Sequence, residues 1–219
     1  MAEDYPGFKV WTTERSGIEK GGGGLAIIYK EQLSAHQYSP DIPDELEYVS
    51  KERQWLLMSS GEDKCAFLHV YIACVRTDNE EFVRWNQDLF RLITDEAKRL
   101  KDQGFTILSL GDYNTRIGHH PGLEGNTPDQ NQNAPMFLTF LEEVDLLILN
   151  TLPMCKEVFT RFIDGPSGVK FKSLLDYGLI SQDKVDYVTS FAIDKEARIR
   201  CGSDHALLDC TIRFSYRPR

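Results

Sequence analysis

Three apolar segments of this sequence each carry an aspartate beside a stretch that is typical of a buried strand. The segment ILSLGDYN ends in Asp112 and Asn114, and LLDYGLIS holds Asp176 within an otherwise apolar run. A third segment, GSDHALL, places Asp204 and His205 directly before a final apolar stretch. Burying a carboxylate is costly unless it is paired or bound to a metal ion. The pattern therefore predicts that these acids converge on a cation or on one another.

Each of these residues, taken alone, has a simpler explanation. Asp112 could cap a turn after a strand, Asn114 is a common turn residue, and a lone histidine such as His205 is more often structural than catalytic. Asp176 is harder to explain, because few structural reasons place an acid inside an apolar run. Asp186, in KVDYV, competes for the same role or lies on a solvated strand face. Their order along the chain, taken together, favours a functional site.

The apolar pattern predicts a mixture of strands and helices. Buried strands are expected at residues 25–29, 65–75, 105–114, 146–150, 158–162, 174–181, 185–193 and 205–214, and helices at residues 79–101 and 135–144. Such a mixture is typical of an α/β or α+β domain with packed sheets. The length of 219 residues suits one domain that spans residues 1–219.

Charge and composition narrow the class of protein. The formal net charge of −9 and the pI of about 5.1 argue against a broad basic surface, although a local basic groove fits. No apolar run is long enough for a membrane span, and no signal peptide is visible. The five cysteines match no zinc pattern. We therefore expect an intracellular protein, in the nucleus or cytoplasm, that has no membrane partner.

The motifs GDYN, LLDYGLIS and SDH, in this order, resemble successive motifs of the endonuclease/exonuclease/phosphatase superfamily. Tyr71, in LHVYIAC, and Thr160, in VFTRF, fall where that family places a phosphate-contacting tyrosine and a threonine. The opening PGFKVWTTERSGIEKGGGGLAIIYK, with Arg15 before a glycine run, resembles the LINE-type retrotransposon endonuclease branch. The resemblance covers almost the whole chain.

The resemblance implies a four-layer sandwich, in which two packed β-sheets are flanked by helices and the site lies at one end of the sheets. It also implies phosphodiester cleavage with Mg²⁺, or alternatively Mn²⁺, as the cofactor. In this scheme Asp112 orients or deprotonates the attacking water, and Asn114 and Tyr71 hold the phosphate. A protonated His205 contacts the scissile phosphate, while Asp176 hydrogen-bonds the imidazole and raises its pKa.

The resemblance further implies a metal site and a DNA-binding surface. Asp204 and Asp112 would bind or steer the metal ion, and Thr160, Arg161 and Arg15 would lie near the nucleic-acid backbone, together with Asn114. In the family, an asparagine on the first strand and a glutamate after the first helix precede the stretch with which this sequence begins. That glutamate is the family's principal metal ligand. We therefore expect the first strand and helix to be missing, and to belong to an N-terminal segment or a longer polyprotein.

Three functions remain open at this point. The first is a Mg²⁺-dependent DNA endonuclease of the retrotransposon type, which could be inactive without the glutamate. The second is a catalytically dead binding module of the same fold. The third is a superfamily member that acts on a phosphoinositide, a sphingolipid or an RNA 3′ end. The acidic composition favours the third and the opening segment favours the first. The opening carries more weight, because net charge says little about a single groove.

Overall fold

The structure is a computed structural model that describes residues 6–14, 24–75, 80–123, 126–166 and 168–213. Within these ranges the chain forms twelve strands and three α-helices. The strands are β1 Phe8–Glu14, β2 Gly24–Lys30, β3 Ala35–Tyr38, β4 Arg53–Ser60, β5 Asp63–Tyr71, β6 Thr106–Asp112, β7 Leu146–Ile148, β8 Arg161–Gly165, β9 Gly168–Ser173, β10 Asp176–Ser181, β11 Val188–Asp194 and β12 Leu207–Ile212. The α-helices are α1 Glu80–Asp102, α2 Ala134–Val144 and α3 Lys195–Cys201, and short 3-10 helices cover Asp44–Glu52, Leu149–Thr151 and Gln182–Tyr187.

Six strands form the main sheet in the order β3-β4-β5-β6-β10-β7. β5 and β6 are parallel, with α1 as the connection between them, and the other neighbouring strands are antiparallel. The parallel pairing brings the ends of β5 and β6 to the same edge of the sheet, and the antiparallel β10 begins at that edge. Polar residues at these three strand ends are therefore neighbours.

One face of the main sheet is covered by α1, α2 and the 3-10 helix Asp44–Glu52. The α1 residues Leu89 and Ile93 are fully buried in this core, beside Trp55 of β4 and Phe137 of α2. The helix places such residues on one face because they recur every three to four positions. Burial of these large side chains, each contributing about 1.5–3 kcal/mol, fixes the helical layer on the sheet.

The other face of the main sheet is covered by three two-stranded ribbons, β1-β2, β8-β9 and β11-β12. A second core lies here, where Phe191 of β11 and Phe162 of β8 pack with Ile180 of β10. The buried Gln54 of β4 donates hydrogen bonds from Nε2 to the carbonyl oxygen of Trp11 and to the hydroxyl of Thr13. These bonds attach the β1-β2 ribbon to the main sheet.

The predicted class is confirmed, because packed sheets and flanking helices form an α/β architecture. The predicted helices match α1 and α2 within about one residue at each end, although the proposed caps Asp78 and Asn79 lie outside the described residues. The second sheet is present as separate ribbons. The missing first strand and helix, and the single domain, stay predictions. Among the described residues, no helix is long and apolar enough to span a bilayer.

Several elements were not predicted. The strands β1, β3, β4 and β9 and the helix α3 are absent from the expected set, and the strand expected at residues 158–162 begins three residues later. β9 lacks a distinctive apolar run because, among the described residues, it pairs with β8 alone, in a ribbon whose Val169 and Phe171 are exposed. α3 has seven residues and depends on the Asp194 cap, which accepts from two backbone N–H groups.

Candidate active site

Three strands bring Tyr71, Asp112 and Asp176 side by side at one edge of the main sheet. Tyr71 ends β5 and pairs in register with Asp112 at the end of β6, which in turn pairs with Asp176 at the start of β10. Gly111 allows this close arrangement, because a Cβ there would lie 2.5 Å from the carbonyl oxygen of Val70. A larger residue at position 111 would push β5 and β6 apart. Glycine there keeps the two strands close, so that the following residue, Asp112, lies beside Tyr71.

His205 reaches this edge from the layer of ribbons. The segment before β12 lies against the start of β8, since the Phe162 N–H donates to the Asp204 carbonyl at 2.8 Å and the Ala206 N–H donates to the Thr160 carbonyl at 2.6 Å. The backbone N–H of His205 donates to the hydroxyl of Ser203 at 3.0 Å. The SDH motif thus forms a small turn that fixes the imidazole between the two layers.

The Asp176 carboxylate binds the His205 ring. Nδ1 of His205 lies 2.9 Å and 3.0 Å from the two carboxylate oxygens of Asp176. Ligand atoms of Asp112, Asp176 and His205 lie within 4.8 Å of one another. We call these three residues the acidic triad. The two aspartates and the histidine that the sequence singled out therefore meet in one place.

The pKa values of Asp112 and His205 are shifted in the acidic triad. Burial raises the pKa of Asp112 to about 7, and the neighbouring charge of Asp176 adds to this effect, against the opposing influence of His205. Burial lowers the pKa of His205, but its hydrogen bond to Asp176 and the charges of Asp176, Asp112 and Asp204 outweigh burial and raise it. The imidazole is therefore held in its protonated form, with Nδ1–H donated to Asp176 and Nε2–H available.

Asn114 holds the Asp112 carboxylate in place. Its backbone N–H donates to Oδ1 of Asp112 at 2.9 Å, and its side-chain amide donates to Oδ2 at 3.1 Å. The same amide also donates to the carbonyl oxygen of Ile72 at 2.9 Å. Asn114 adopts a left-handed backbone with φ of 43°, a conformation that asparagine tolerates. Its amide therefore helps to orient Asp112, and the contact with phosphate that the resemblance implied stays a prediction.

Thr160 and Asn150 hold the backbone of Asp176. The Thr160 hydroxyl accepts the backbone N–H groups of Leu175 and Asp176, both at 3.0 Å, and its side chain is fully buried. The Asn150 amide donates to the Asp176 carbonyl and accepts from the N–H of Gly178. Thr160 therefore fixes the backbone of Leu175 and Asp176, and the contact with the nucleic-acid backbone that the resemblance implied stays a prediction. The role of Asn150 was not predicted, and its only signal was a polar residue after the apolar run LLIL.

A network of asparagines, of which Asn86 and Asn133 are buried, supports the loop behind Asn114. Asn131 and Asn133 both donate to the Asn114 carbonyl, at 2.7 Å and 3.0 Å. Asn86 of α1 accepts from the N–H of Ala73 and donates to Asn133 and to the Ala73 carbonyl. No local pattern predicts this network, because Asn131 and Asn133 lie in a segment whose composition indicates only a polar loop. It ties the loop to α1 by satisfied buried polar groups.

Asp204 lies beside the acidic triad and is paired elsewhere. Arg161 donates from Nε to Asp204 at 2.9 Å, and the nearer Asp204 oxygen lies 4.0 Å from Nε2 of His205. Burial acts to raise the pKa of Asp204, but the bond and charge of Arg161 and the charge of His205 lower it overall. Asp204 is therefore not a member of the acidic triad. It forms an ion pair with Arg161 at the rim of the site.

Three further residues that the sequence singled out are Tyr71, Arg15 and Asp186. Tyr71 is half-buried next to Asp112, as the register requires. Arg15 lies outside the described residues. Asp186, the competing acid, is exposed in the 3-10 helix that follows the far end of β10, and so it does not join the site.

The donor set fits a hard divalent cation. Asp112 and Asp176 supply carboxylate oxygens, which are the protein ligands that Mg²⁺ and Mn²⁺ prefer. Two carboxylates this close repel each other, and the raised pKa of Asp112 reports that repulsion together with burial. A cation between them would offset the excess negative charge. The chemistry of the residues is therefore compatible with the metal ion that the resemblance implied.

Comparison with solved structures identifies the fold. The chain is similar to the endonuclease domain of TRAS1, a telomere-specific non-LTR retrotransposon, with a TM-score of 0.61 and 17% identity over 97% of this chain and 83% of that one. It is similar to the AP endonuclease LMAP from Leishmania major, with a TM-score of 0.72 and 14% identity over 96% of this chain and 72% of that one. It is also similar to a mannosyl-6-phosphatase from Bacteroides thetaiotaomicron, with a TM-score of 0.58 and 14% identity over 97% and 79% of the two chains.

Sequence comparison gives no closer assignment. No family model matches the sequence, and no curated protein matches it. The structural neighbours are nucleases and phosphatases that share one architecture at identities of 14–17%. The chain therefore has the endonuclease/exonuclease/phosphatase fold, as the order of its three motifs predicted.

Proposed function

We propose that this chain is a Mg²⁺-dependent phosphodiesterase that cleaves DNA, as an endonuclease domain of the retrotransposon type. The observation that carries the proposal is the acidic triad, in which Asp112, Asp176 and His205 converge within 4.8 Å at one edge of the main sheet. Titratable groups with perturbed pKa values that meet in this way are candidates for catalysis. The fold supports the proposal, because nucleases are among its structural neighbours.

His205 acts as the donor to the phosphate in this proposal. Asp176 accepts Nδ1–H and keeps the ring charged and oriented, which leaves Nε2–H free to donate to a non-bridging phosphate oxygen. A charged donor of this kind stabilises negative charge as it develops in the transition state. Thr160 contributes indirectly, because its hydroxyl fixes the backbone of Asp176.

Asp112 acts as the general base that takes the proton from the attacking water. Its pKa of about 7 lies near the pH at which a base is most effective, and its two oxygens are held by Asn114. A pKa of about 7 leaves part of the Asp112 population ionised near neutral pH, and the raised pKa of His205 favours the protonated imidazole.

Asp112 and Asp176 are the residues that would hold the cation, with Asp204 at the rim as a further ligand once it leaves Arg161. A bound Mg²⁺, or Mn²⁺ in its place, supplies charge neutralisation at the phosphate oxygens. Arg161, and Arg15 in the same proposal, would contact the DNA backbone.

A phosphatase acting on a small substrate is the second candidate. It is favoured by the net charge of −9 and by the similarity to a mannosyl-6-phosphatase. The two candidates differ in the bond that is cleaved. A nuclease nicks an internal phosphodiester, whereas a phosphatase releases inorganic phosphate from a terminal monoester.

The test compares two substrates under the same conditions. Supercoiled plasmid and mannose 6-phosphate are each incubated with the chain and Mg²⁺, and nicked plasmid and free phosphate are measured. We expect nicking, and its loss in Asp112→Asn but not in Asp186→Asn, which makes the same change at an exposed acid away from the site. Phosphate release without nicking would favour the second candidate, and nicking equal in both variants would contradict both.

A further inference from the structure

On one of its two edges, β10 has a strand partner along only half of its length. It pairs there with β7 through residues 179–181, and β7 ends at Ile148, where the chain turns into the 3-10 helix Leu149–Thr151. The Thr151 hydroxyl donates to the Ile148 carbonyl at 2.7 Å and holds this turn. In the part of the chain that the structure describes, the first half of β10, which begins with Asp176, therefore has no strand beside it on this edge.

The backbone groups of Asp176 point toward this edge. In an antiparallel pair of strands, hydrogen-bonded and non-hydrogen-bonded residue pairs alternate. The Tyr113 N–H donates to the Leu175 carbonyl at 3.0 Å, so the next pair along, Asp176 and Asp112, is a non-hydrogen-bonded one. The N–H and the carbonyl of Asp176 are therefore turned away from β6. Because Asp176 is buried, both groups need a partner on the other side.

The side-chain amide of Asn150 takes the place of the missing strand. Its Nδ2 donates to the Asp176 carbonyl at 3.2 Å, and its Oδ1 accepts the N–H of Gly178, the next group along the same edge, at 3.0 Å. A peptide unit of a neighbouring strand would offer β10 the same donor and acceptor. Asn150 is only 3% exposed, so water does not compete for these bonds. Thr160 accepts the remaining group, the Asp176 N–H.

We propose that Asn150 is a positioning residue for the cleavage reaction, which fixes the direction in which Asp176 presents its carboxylate to His205. This inference rests on the proposed function. Both carboxylate oxygens of Asp176 lie within hydrogen-bond distance of Nδ1 of His205, at 2.9 Å and 3.0 Å. A rotation of the Asp176 backbone would move this carboxylate away from the ring. Asn150 acts through Asp176, because both of its bonds are to the backbone of β10.

The tautomer of His205 distinguishes positioning from support of the fold alone. The nitrogen that carries the proton in a neutral imidazole is set by the hydrogen bond that the ring makes. With Asp176 in place, the neutral ring of His205 carries its proton on Nδ1. Nitrogen-15 NMR of the chain labelled in its histidines reports this tautomer at alkaline pH, without substrate or metal. His205→Gln identifies the signals, because it removes one of the five histidines.

Asn126 provides a matched control for Asn150. It is also buried, its Nδ2 donates to the Gly118 carbonyl at 3.0 Å, and its Oδ1 accepts the N–H of Thr127 at 2.9 Å. Asn126 thus makes the same two kinds of bond to backbone groups, in the loop between β6 and α2. Asn150→Ala and Asn126→Ala remove equivalent bonds, and both should destabilise the fold. Circular dichroism gives the folded fraction to which each activity is normalised.

We expect only the substitution at Asn150 to change the site. Asn150→Ala should transfer the proton of the neutral His205 ring toward Nε2 and should lower kcat for plasmid nicking about 10- to 100-fold, with KM little changed, because a residue that orients a carboxylate of the site is lost. Asn126→Ala should keep both the tautomer and kcat. Asn150→Leu fills the space of the amide without its donor and acceptor, and should behave as Asn150→Ala does.

Two results would overturn the proposal. The first is a His205 ring that keeps its proton on Nδ1 in both Asn150→Ala and Asn150→Leu. The second is an equal change of tautomer in Asn126→Ala, which would mean that general loosening of the fold moves the ring. If the unmodified chain does not nick plasmid, the proposed function fails, and the tautomer alone then decides whether Asn150 positions Asp176.

Discussion

Two clusters of buried charge lie on the main sheet, and they are built in opposite ways. In one, Arg53 makes two hydrogen bonds to the Glu96 carboxylate, at 2.6 Å and 2.9 Å, and the Trp55 indole N–H donates to the same carboxylate at 2.8 Å. In the other, Asp112 and Asp176 share a single histidine as their cationic partner in the acidic triad. The first cluster balances its charge, whereas the second carries an excess of negative charge.

The comparison shows how a buried ion pair that stabilises the fold differs from a charged cluster that can bind a ligand. Every charge of the Arg53–Glu96 pair has a fixed partner between β4 and α1, so nothing remains to bind a ligand. In the acidic triad, burial and the charge of Asp176 raise the pKa of Asp112, and the surrounding carboxylates raise the pKa of His205. Such an excess of negative charge is typical of a site that is completed by a cation or a substrate.

The largest expected effect is on activity. His205→Ala should reduce plasmid nicking about 10²- to 10⁴-fold, because the donor to the phosphate is lost. The midpoint of thermal unfolding should change little, since the side chain is at the rim of the fold and partly exposed. His36→Ala, at an exposed position on β3, is the control and should leave nicking unchanged. Nicking that survives His205→Ala would remove the histidine from the mechanism.

The balanced cluster should respond in stability instead. Glu96→Ala leaves the buried Arg53 guanidinium without a partner and should lower the free energy of unfolding by about 3–5 kcal/mol. Glu143→Ala breaks the exposed pair with Lys98 and should cost about 0–1 kcal/mol. Urea denaturation of both variants measures the contrast. Equal losses would contradict the distinction between the buried pair and the surface pair.

Substitutions at Thr160 test whether its hydroxyl holds Asp176 in position. Thr160→Val keeps the shape but leaves the N–H groups of Leu175 and Asp176 unpaired, and should cost about 1–3 kcal/mol of stability. Thr160→Ser retains the hydroxyl and should preserve most of the nicking that Thr160→Val loses. A positioning role thus predicts rescue by serine. Equal activity of the two variants would show that the hydroxyl has no such role.

The smallest expected effect depends on pH. The pKa of Asp112 is raised from 3.8 to about 7 by burial and by Asp176, so the folded state retains a proton that the unfolded chain releases near pH 4. Stability from this group is therefore lost as pH rises from about 4 to about 7. At pH 8, Asp112→Asn should be more stable in urea denaturation than the unmodified chain, and at pH 4 the two should be equally stable.

Mg²⁺ should restore the stability that the unmodified chain loses as the pH rises. A cation that binds only the folded state stabilises it by mass action, so Mg²⁺ should raise the midpoint of thermal unfolding of the unmodified chain at pH 8. The same addition should have little effect on Asp112→Asn, which lacks one carboxylate of the acidic triad. A gain of equal size in both proteins would place the cation elsewhere.

Local motifs made the triad predictable, whereas its supports were not. Asp112, Asp176 and His205 each stand in a short pattern next to an apolar strand, so their chemistry is visible in sequence. The roles of Thr160 and Asn150 depend on which backbone groups they meet, and those groups lie 15 or more residues away in the chain. Long-range partners of this kind leave no local pattern.

The same limit applies to the fold. The helices α1 and α2 were predictable because their apolar faces repeat over many residues. The division of the second layer into the ribbons β1-β2, β8-β9 and β11-β12 was not, since it depends on which strands pair in three dimensions. The sequence could indicate that strands were present, but only the three-dimensional arrangement shows which edges remain open.

The most direct test of the acidic triad as a catalytic centre is the nicking of supercoiled plasmid at neutral pH, with Mg²⁺ and with EDTA, by the chain and by Asp112→Ala. We expect nicking that requires Mg²⁺ and disappears in Asp112→Ala, with both proteins folded. Nicking that persists in EDTA or in Asp112→Ala, or no nicking by a folded and monodisperse chain, would contradict it.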